Sequence, residues 1–338
     1  MDAPMTDDGD DIVETCRLLL EDMSLSSVQR WKEEHPDGKA IGCLPGYAPL
    51  EVIHAAGFLP VGVFGGGDQL EIIRGDAYFQ SYICHIPRSV VELGVSGKLD
   101  CLDGFVFPST CDVIRNLSGM WQILFEGRYV KYFDVPQNFR GSLGGRFFRQ
   151  ELEDLSRGLE GLGGLPLTPE RLAAAIADYD VHRAVIEQLF DARAAHPERV
   201  PSWEMYVVMR AGGVLPVAEH TDLMLRYMEA VRKRTARVRD NPRVIVHGAF
   251  CEQPPLNLVR VLERAGCYVV EDDFSLQQRW IRGPVLSPGA DPWRSLVDAF
   301  LERSRPSAIR YMGDAPRGTE LIEVVRRTRA EGVILASP

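Results

Sequence analysis

Residues 78–121, YFQSYICHIPRSVVELGVSGKLDCLDGFVFPSTCDVIRNLSGMW, contain the pattern that decides the fold. Within them, Gly104–Pro108 is a short apolar run of the kind that forms a buried strand in a parallel sheet. Cys111 follows on a Pro-Ser-Thr turn at the carboxyl end of that strand, and a helix is expected from Asp112 to about Phe125. Ligands of open α/β sheets bind at such strand ends, so the pattern predicts a ligand site beside Cys111.

The same alternation of strand and helix extends toward the N-terminus. Short apolar segments at residues 40–44 and 59–64 flank a helix that begins near Pro49 and ends at Gly57. Strands and helices alternating at this spacing predict a parallel sheet with helices on its faces. The other elements expected in this part of the chain are an amphipathic helix over 11–34, a helix over 76–96 and a strand over 129–135.

A helical region is expected to follow this sheet. Helical spacing of apolar residues runs from about 145 to 238, and Thr168-Pro169 is a helix start with Thr168 as the N-cap. Gly141, Gly144 and Gly145 lie just before that region and suggest a flexible connection. The first domain should therefore end near residue 140.

The strand and helix alternation returns at Arg243 with RVIVHG, and the chain finishes on an apolar strand-like run over 332–336. A short strand is also expected at 310–312. The predicted class is α/β, with two Rossmann-like parallel-sheet domains and a helical segment between them. The predicted limits are 1–140 for the N-terminal domain, 141–240 for the helical segment and 241–338 for the second domain. We expect this last domain to be incomplete at its C-terminus, because a buried strand normally runs into a covering helix.

Composition excludes several classes of protein. The 338 residues include 48 acidic and 38 basic side chains, giving a net charge of −10, which disfavours nucleic acid as a partner. The acidic N-terminus has no apolar signal region, and no apolar run reaches the roughly 18 residues of a membrane span. Seven cysteines without a CxxC pair do not form a disulfide framework, so we expect a cytoplasmic protein with free or metal-bound thiols.

Several motifs with known chemistry are missing from the sequence. It contains no GxxxxGK[ST] phosphate-binding loop, no GxGxxG after a strand, no GxSxG and no HExxH. The run Gly65–Gly67 is therefore interpreted only as a turn. Nucleotide binding and zinc-dependent hydrolysis are poorly supported.

Two cysteines, Cys84 and Cys111, remain as the main site residues. Their wide spacing does not match a ferredoxin pattern, and from spacing alone such cysteines are more often core thiols. Their surroundings favour another interpretation: His85 and Arg88 follow the first, and the second lies at a strand end before Asp112. Nearby cations and helix N-termini stabilise thiolates, which supports the hypothesis that both cysteines are ligands of an iron–sulfur cluster.

Longer segments of the chain resemble a known family. They are GYAPLEVIHAAGFLPVGV (46–63), GDAYFQSYICHIPRS (75–89), LDGFVFPSTCDVIRNLSGMW (102–121), HGAFCEQPPLNLVRVLERAGCYVVEDDF (247–274) and DPWRSLVDAFL (291–301). Together they are similar to the 2-hydroxyacyl-CoA dehydratase and benzoyl-CoA reductase family, and most similar to the cluster-binding catalytic subunits of the reductases.

The resemblance implies a [4Fe–4S] cluster held by cysteines in a protein built from paired α/β domains. The first two ligands of the family match Cys84 and Cys111. The third lies in a Phe-Cys-Asp motif just after the strand that corresponds to 333–336, and we therefore expect it beyond residue 338. A chain with two cysteine ligands should hold a cluster poorly.

The resemblance also implies a function and partners. The expected activity is that of an ATP-dependent benzoyl-CoA reductase, which dearomatises an aromatic acyl-CoA with low-potential electrons. ATP would be bound only by a separate iron–sulfur activator, supplied with electrons by ferredoxin, and a related cluster-binding subunit would complete the complex. The alternatives are a subunit of an (R)-2-hydroxyacyl-CoA dehydratase with a ketyl radical mechanism, a non-catalytic electron-transfer or scaffold subunit, and an accessory protein without a cluster.

Further polar residues are candidates for supporting roles. His85 is the expected proton donor, since it lies beside Cys84 and an imidazole can both donate and accept a proton, although a hydrogen-bonded structural histidine is at least as good an interpretation. The residues expected to position the thioester or to tune the cluster, each of which could instead form an ordinary salt bridge or helix cap, are Arg88, Asp112, Arg115 and Asn116. Glu252 and Asp272-Asp273 are expected at strand ends that face the cleft.

Overall fold

The N-terminal half of the chain is built on a four-stranded parallel sheet. The structure is a computed structural model, and it describes residues 7–248, 254–305 and 318–336. The strands are β1 (Lys39–Cys43), β2 (Phe58–Gly62), β3 (Gly104–Pro108) and β4 (Tyr129–Phe133), in the order β2-β1-β3-β4. All five residues of β3 are buried, as its unbroken apolar sequence predicted.

Helices cover both faces of this sheet. Phe105 and Phe107 of β3 point to a face covered by α2 (Ser26–Glu34), α4 (His85–Val95) and α5 (Asp112–Leu124). Val106, between them, points to the opposite face, covered by α3 (Leu50–Ala55) and α6 (Arg146–Gly161). Successive side chains of a strand alternate between faces, so a strand buried on both sides must be apolar throughout.

The helical region continues beyond the sheet. The remaining helices of this part are α1 (Asp7–Glu21), α7 (Pro169–Ala195), α8 (Ser202–Ala211) and α9 (Val217–Lys233). Thr168 caps α7 as predicted, because its side chain accepts a hydrogen bond from the Arg171 backbone N–H. Although α1 comes first in the chain, its Ile12 and Val13 pack with α7, α8 and α9 in one core.

A second parallel sheet lies in the C-terminal part. Its strands are β5 (Arg243–His247), β6 (Tyr268–Asp272) and β7 (Gly332–Leu335), and the helices α10 (Leu256–Arg264) and α12 (Thr319–Thr328) contact β6. The helix α11 (Pro292–Arg303) comes between them in the chain but packs with α6 and α7 in the core beside the first sheet. The order β6-β5-β7 repeats that of β2-β1-β3 in the first sheet. The predicted α/β class with parallel sheets is confirmed, whereas the domain limits at residues 140 and 240 stay a prediction.

Three local predictions were wrong. Residues 11–34 form two helices rather than one, because Leu25 between them has a left-handed backbone conformation. Only 85–95 of the predicted 76–96 helix is α-helical, and residues 75–78 form a short 3-10 turn. The glycines at 141, 144 and 145 are not a loose connection, since 141–145 is a π-helical turn that runs directly into α6.

Some expectations fall on residues that the structure does not describe. They are the strand at 310–312, Cys251 and Glu252. Within the described ranges, no helix is long and apolar enough to cross a membrane.

Candidate functional site

The crossover pattern of the first sheet places a site at the carboxyl ends of β1 and β3. The chain leaves β1 toward β2 on one side and later returns to β3 on the other, so the two connections diverge between these neighbouring strands. The loops after both strands are tied together, because Thr110 Oγ1 donates a 2.8 Å hydrogen bond to the Pro45 carbonyl. Gly46 makes this approach feasible: its φ is +133°, and a Cβ there would lie 2.6 Å from Thr110 Oγ1.

Cys111 lies at this edge as the N-cap of α5. Its backbone is extended, with φ −162° and ψ 172°, and its side chain is exposed. The Arg115 N–H donates to the Cys111 carbonyl at 3.1 Å, which starts the helix at the cysteine. The N-terminal end of a helix carries partial positive charge, so a negatively charged, metal-bound thiolate is favoured at this position.

Cys84 occupies the equivalent position on the neighbouring helix. It is the N-cap of α4, and its side chain is also exposed. Since α4 and α5 lie on the same face of the sheet and both begin at its carboxyl edge, the two predicted cysteines share one edge and one face. The structure thus brings to one end of the sheet two thiols that are 27 residues apart in sequence.

A buried carboxylate holds the long connection that leads to Cys84. Glu92 of α4 is 7% exposed, and its Oε2 accepts hydrogen bonds from the backbone N–H groups of Ile73 (2.9 Å), Arg74 (2.6 Å) and Gly75 (2.8 Å). Burial alone would raise the pKa of the Glu92 carboxyl, but these three donors outweigh it and the pKa is lowered. The connection is therefore fastened to the helix whose first turn presents Cys84.

The side chains at this site match only part of the ligand set that an iron–sulfur cluster needs. Cys84 and Cys111 are exposed thiols, the ligand type that such clusters require, whereas Cys16 and Cys43 are buried in the cores. Among the described residues, no three His, Cys, Asp or Glu side chains converge closely enough to hold a metal ion. This part of the chain therefore offers two exposed thiols, which by themselves are fewer than the ligands of a cluster.

The other predicted site residues near the cysteines have mixed surroundings. Arg88 is engaged in an ion pair, with Nη1 2.9 Å from Asp76 Oδ1. Arg115 lies over the Tyr132 ring, with its Cζ 5.9 Å from the centroid, and its side chain remains accessible. His85 is the partly exposed first residue of α4, and the first turns of α5 also present Asp112 and Asn116 to solvent.

At the end of β6, the predicted acidic pair is occupied by intramolecular contacts. Asp272 Oδ2 is 2.6 Å from Nη1 of the fully buried Arg193. Asp273 Oδ2 is 2.6 Å from His247 Nδ1, and this carboxylate raises the pKa of His247. These contacts bind β6 to α7 and to the end of β5, so they account for both aspartates structurally.

A cavity beside the first sheet was not predicted from the sequence. It has a volume of about 80 Å³, is partly open, and lies behind the loop after β1. Its wall is mainly apolar and aromatic, and includes Leu44, Tyr47, Phe64, Tyr179, Leu215 and Trp280. These residues come from the ends of β1 and β2, from α7, from the α8–α9 turn and from the segment after β6, so no local sequence pattern reveals the cavity.

One wall of this cavity includes His182, which forms a buried pair with His220 behind it. His220 Nε2 is 2.9 Å from the Val208 carbonyl and must donate to it, which leaves Nδ1 to accept from His182 Nε2 at 2.7 Å. Burial lowers the pKa of His220 to about 4, and burial together with the neighbouring His220 and Arg183 lowers the pKa of His182 well below its usual value. Both rings are therefore neutral, with defined tautomers.

Comparison with known proteins shows which family the chain belongs to. Residues 45–338, which include both cysteines and every strand after β1, match the family described as 2-hydroxyglutaryl-CoA dehydratase, D-component. The chain belongs to the 2-hydroxyglutaryl-CoA dehydratase D-component family. The resemblance that the sequence motifs indicated is thereby confirmed.

Curated relatives in this dehydratase family extend over nearly the whole chain. One subunit of the benzoyl-CoA reductase of Thauera aromatica is 49% identical over 329 residues, which are 97% of this chain and 85% of the relative. The (R)-phenyllactyl-CoA dehydratase beta subunit of Clostridium sporogenes is 28% identical, over 89% of this chain and 79% of the relative. The beta subunit of the lactoyl-CoA dehydratase of Anaerotignum propionicum is 26% identical, over 96% of this chain and 85% of the relative.

These relatives indicate the general class of enzyme to which the chain belongs. Each relative is a subunit of an enzyme that acts on a coenzyme A thioester, either a reductase or a dehydratase. The chain is thus an enzyme subunit of the reductase and dehydratase class, and partner subunits are implied by that kinship.

Proposed function

We propose that this chain is a subunit of an ATP-dependent benzoyl-CoA reductase that dearomatises an aromatic acyl-CoA. The observation that carries the proposal is the 49% identity to one benzoyl-CoA reductase subunit over 97% of the chain, against 28% and 26% for the two dehydratase subunits. Because reductase and dehydratase subunits share a family, the fold alone does not distinguish the two activities.

In this proposal Cys84 and Cys111 are thiolate ligands of a [4Fe–4S] cluster. Such a cluster, when bound, supplies the low-potential electrons that reduction of an aromatic ring requires. The arrangement of the chain supports this role, since both thiols are exposed N-caps at the same sheet edge. The helix ends favour the negative charge of the ligated site, and Glu92 restrains the connection to Cys84.

The remaining ligand is proposed to follow β7. In strand order, β7 stands beside β5 as β3 stands beside β1, so the loop after β7 is the counterpart of the loop that carries Cys111. This equivalence supports a further ligand at the carboxyl edge of the second sheet, which corresponds to the edge that carries Cys111 in the first.

The proposed partners are inferred from a motif that is missing from the sequence and from the subunit names of the relatives. No phosphate-binding loop is present in the sequence, so ATP hydrolysis is assigned to a separate iron–sulfur activator, with ferredoxin as the upstream electron donor. A related cluster-binding subunit is proposed as the direct partner, in keeping with relatives that are named as subunits.

The chain's own residues are proposed to handle the proton and the substrate. His85, partly exposed beside Cys84, is the proposed proton donor. Arg115 and Asn116, on the first turns of α5, would position the thioester. Arg88 is better suited to support the loop before Cys84, because it is already paired with Asp76.

A substrate assay tests the proposed activity. The full-length protein, purified without oxygen together with its partner subunits, is supplied with ATP, a strong reductant and either benzoyl-CoA or an (R)-2-hydroxyacyl-CoA. We expect turnover of benzoyl-CoA to a cyclic diene product. Dehydration of the 2-hydroxyacyl-CoA without turnover of benzoyl-CoA would refute the reductase assignment in favour of a dehydratase.

A further inference from the structure

The cavity behind the loop after β1 has the composition of a ligand site. Its volume of about 80 Å³ greatly exceeds the roughly 10–15 Å³ that one water molecule needs, and its open side allows a planar group to enter partway. Aromatic side chains from separate segments, Tyr47, Tyr179 and Trp280, form much of the wall. Apolar pockets with a few convergent polar groups are the usual form of small-molecule sites.

The polar atoms of this cavity are not satisfied by the surrounding chain. Tyr47 is only 5% exposed, and its buried hydroxyl has no hydrogen-bond partner in the part of the chain that the structure describes. Gln278 donates from Nε2 to the Met209 carbonyl at 2.8 Å, which leaves its buried Oε1 without a partner within the same described ranges. Buried polar groups are nearly always paired, so the Tyr47 hydroxyl points to a ligand atom that accepts a hydrogen bond, as a carbonyl oxygen does.

The phenol is held in its donor form. Burial raises the pKa of Tyr47 well above its usual value, and the nearby Glu51 carboxylate raises it further. Tyr47 therefore keeps its proton, and its hydroxyl can donate to a carbonyl oxygen.

The charges around the cavity favour a neutral ligand. His182 on one wall is uncharged, as is His220, which pairs with it. Arg183 is the arginine among the described wall residues, and it already contacts two carboxylates. Its Nη1 lies 2.6 Å from Glu51 Oε1, and its Nη2 is paired with Asp180 Oδ1. Two carboxylates around one guanidinium leave a net negative charge, which opposes entry of an anion.

The cavity adjoins the loop that carries Cys111. Gly46 lines the cavity and packs against Thr110, the residue before Cys111, and the hydrogen bond from Thr110 to Pro45 fixes these two loops together. A ligand in the cavity is therefore held beside the proposed electron-transfer site.

We propose that this cavity binds the aromatic acyl end of a neutral acyl thioester, with Tyr47 Oη donating a hydrogen bond to the thioester carbonyl oxygen. The assignment rests on the proposed function, because the acyl-CoA substrate class comes from it. It adds the place where the ring binds, the residue that recognises the carbonyl, and a selectivity for the neutral thioester over the free aromatic acid.

Benzamide and benzoate are matched probes of this selectivity, since both are flat and similar in size but only benzoate is charged. Binding of each is measured by isothermal titration calorimetry to the purified complex that contains the full-length chain. We expect benzamide to bind at least about tenfold more tightly than benzoate, because Arg183, the arginine of the described wall, already lies between the carboxylates of Glu51 and Asp180. Equal affinity for the two probes, or tighter binding of benzoate, would overturn the proposal.

Two variants locate the binding within this chain. Tyr47→Phe removes only the unpaired hydroxyl and should weaken benzamide binding about threefold to tenfold, the usual effect of one neutral hydrogen bond. Leu215→Trp fills the cavity and should abolish it. Tyr129→Phe is the matched control, because Tyr129 is partly buried in the core away from the cavity and its substitution should leave benzamide affinity unchanged.

Failure of this proposal is distinguishable from failure of the proposed function. Iron is measured on the same preparations. A protein that binds iron through Cys84 and Cys111, but whose benzamide affinity is unchanged by both cavity variants, overturns the cavity assignment and leaves the reductase proposal standing.

Discussion

Glu92 fastens the connection before Cys84, and its replacement by glutamine tests how that site is held. The carboxylate accepts three backbone N–H bonds through one oxygen, from Ile73, Arg74 and Gly75. A hydrogen bond to a charged acceptor contributes about 1.5–3 kcal/mol and a neutral one about 0.5–1.5 kcal/mol. Glu92→Gln keeps an oxygen but loses the charge, so local stability should fall by about 2–3 kcal/mol, or about 1 kcal/mol for each bond.

Hydrogen–deuterium exchange measures this loss directly. Since about 1.4 kcal/mol corresponds to a factor of ten, amides of residues 73–75 should exchange about 30–100-fold faster in Glu92→Gln than in the wild type. Glu71→Gln is the control, because Glu71 lies exposed on the same connection and its loss of charge should leave those rates unchanged. Unchanged exchange of residues 73–75 in Glu92→Gln would refute the role assigned to this carboxylate.

The pH dependence of this fastening has a defined sign. The pKa of Glu92 is lowered in the folded protein, so its stabilising contribution is complete above the ordinary glutamate value of 4.5. The contribution is lost as the pH falls through the lowered folded-state pKa. Exchange at residues 73–75 in the wild type should therefore approach that of Glu92→Gln only in acid.

Two further predictions concern the loop after β1 and the buried histidine pair. Gly46→Ala should destabilise the protein by about 1–3 kcal/mol in chemical unfolding, because alanine is strained at φ +133° and its Cβ meets Thr110. Gly119→Ala, on a helix position with open space, should instead stabilise by about 0.5–1 kcal/mol, and equal effects of the two changes would contradict this account. The other prediction concerns how the free energy of unfolding depends on pH. The pKa of His220 is 6.5 in the unfolded chain and about 4 in the folded protein, so between pH 6.5 and pH 4 only the unfolded chain takes up that proton. The free energy of unfolding should therefore fall by about 3 kcal/mol as the pH is lowered from 6.5 to 4. His220→Gln should remove the His220 contribution and so reduce this slope, while the exposed His35→Gln retains all of it, and an unchanged slope in His220→Gln would contradict the role of His220.

The sequence was most informative where one local pattern determines the structure. The apolar run Gly104–Pro108, followed by a turn and then by an acidic helix start at Asp112, predicted β3, α5 and the edge position of Cys111 between them. These features depend on burial of both strand faces and on helix capping, which are visible in neighbouring residues.

The sequence was least informative where distant contacts override local preference. Glycines predict freedom of the backbone, but Gly144 and Gly145 are buried in a π-helical turn, and Gly145 lies against α11. Leu25 adopts a left-handed conformation that its side chain gives no reason to expect. The cavity around Tyr47 escaped prediction because its wall is assembled from five separate parts of the chain.

The central claim, that Cys84 and Cys111 are cluster ligands, is tested most directly by iron content. The complex is purified without oxygen with the wild-type chain, with Cys84→Ser, with Cys111→Ser, and with Cys101→Ser as a control at a partly buried cysteine outside the site. We predict that each of the first two variants lowers bound iron by about four atoms per copy of this chain, as expected for one [4Fe–4S] cluster, and that Cys101→Ser retains the full amount. Wild-type iron content in both Cys84→Ser and Cys111→Ser, or an iron-free wild-type complex, would contradict the claim.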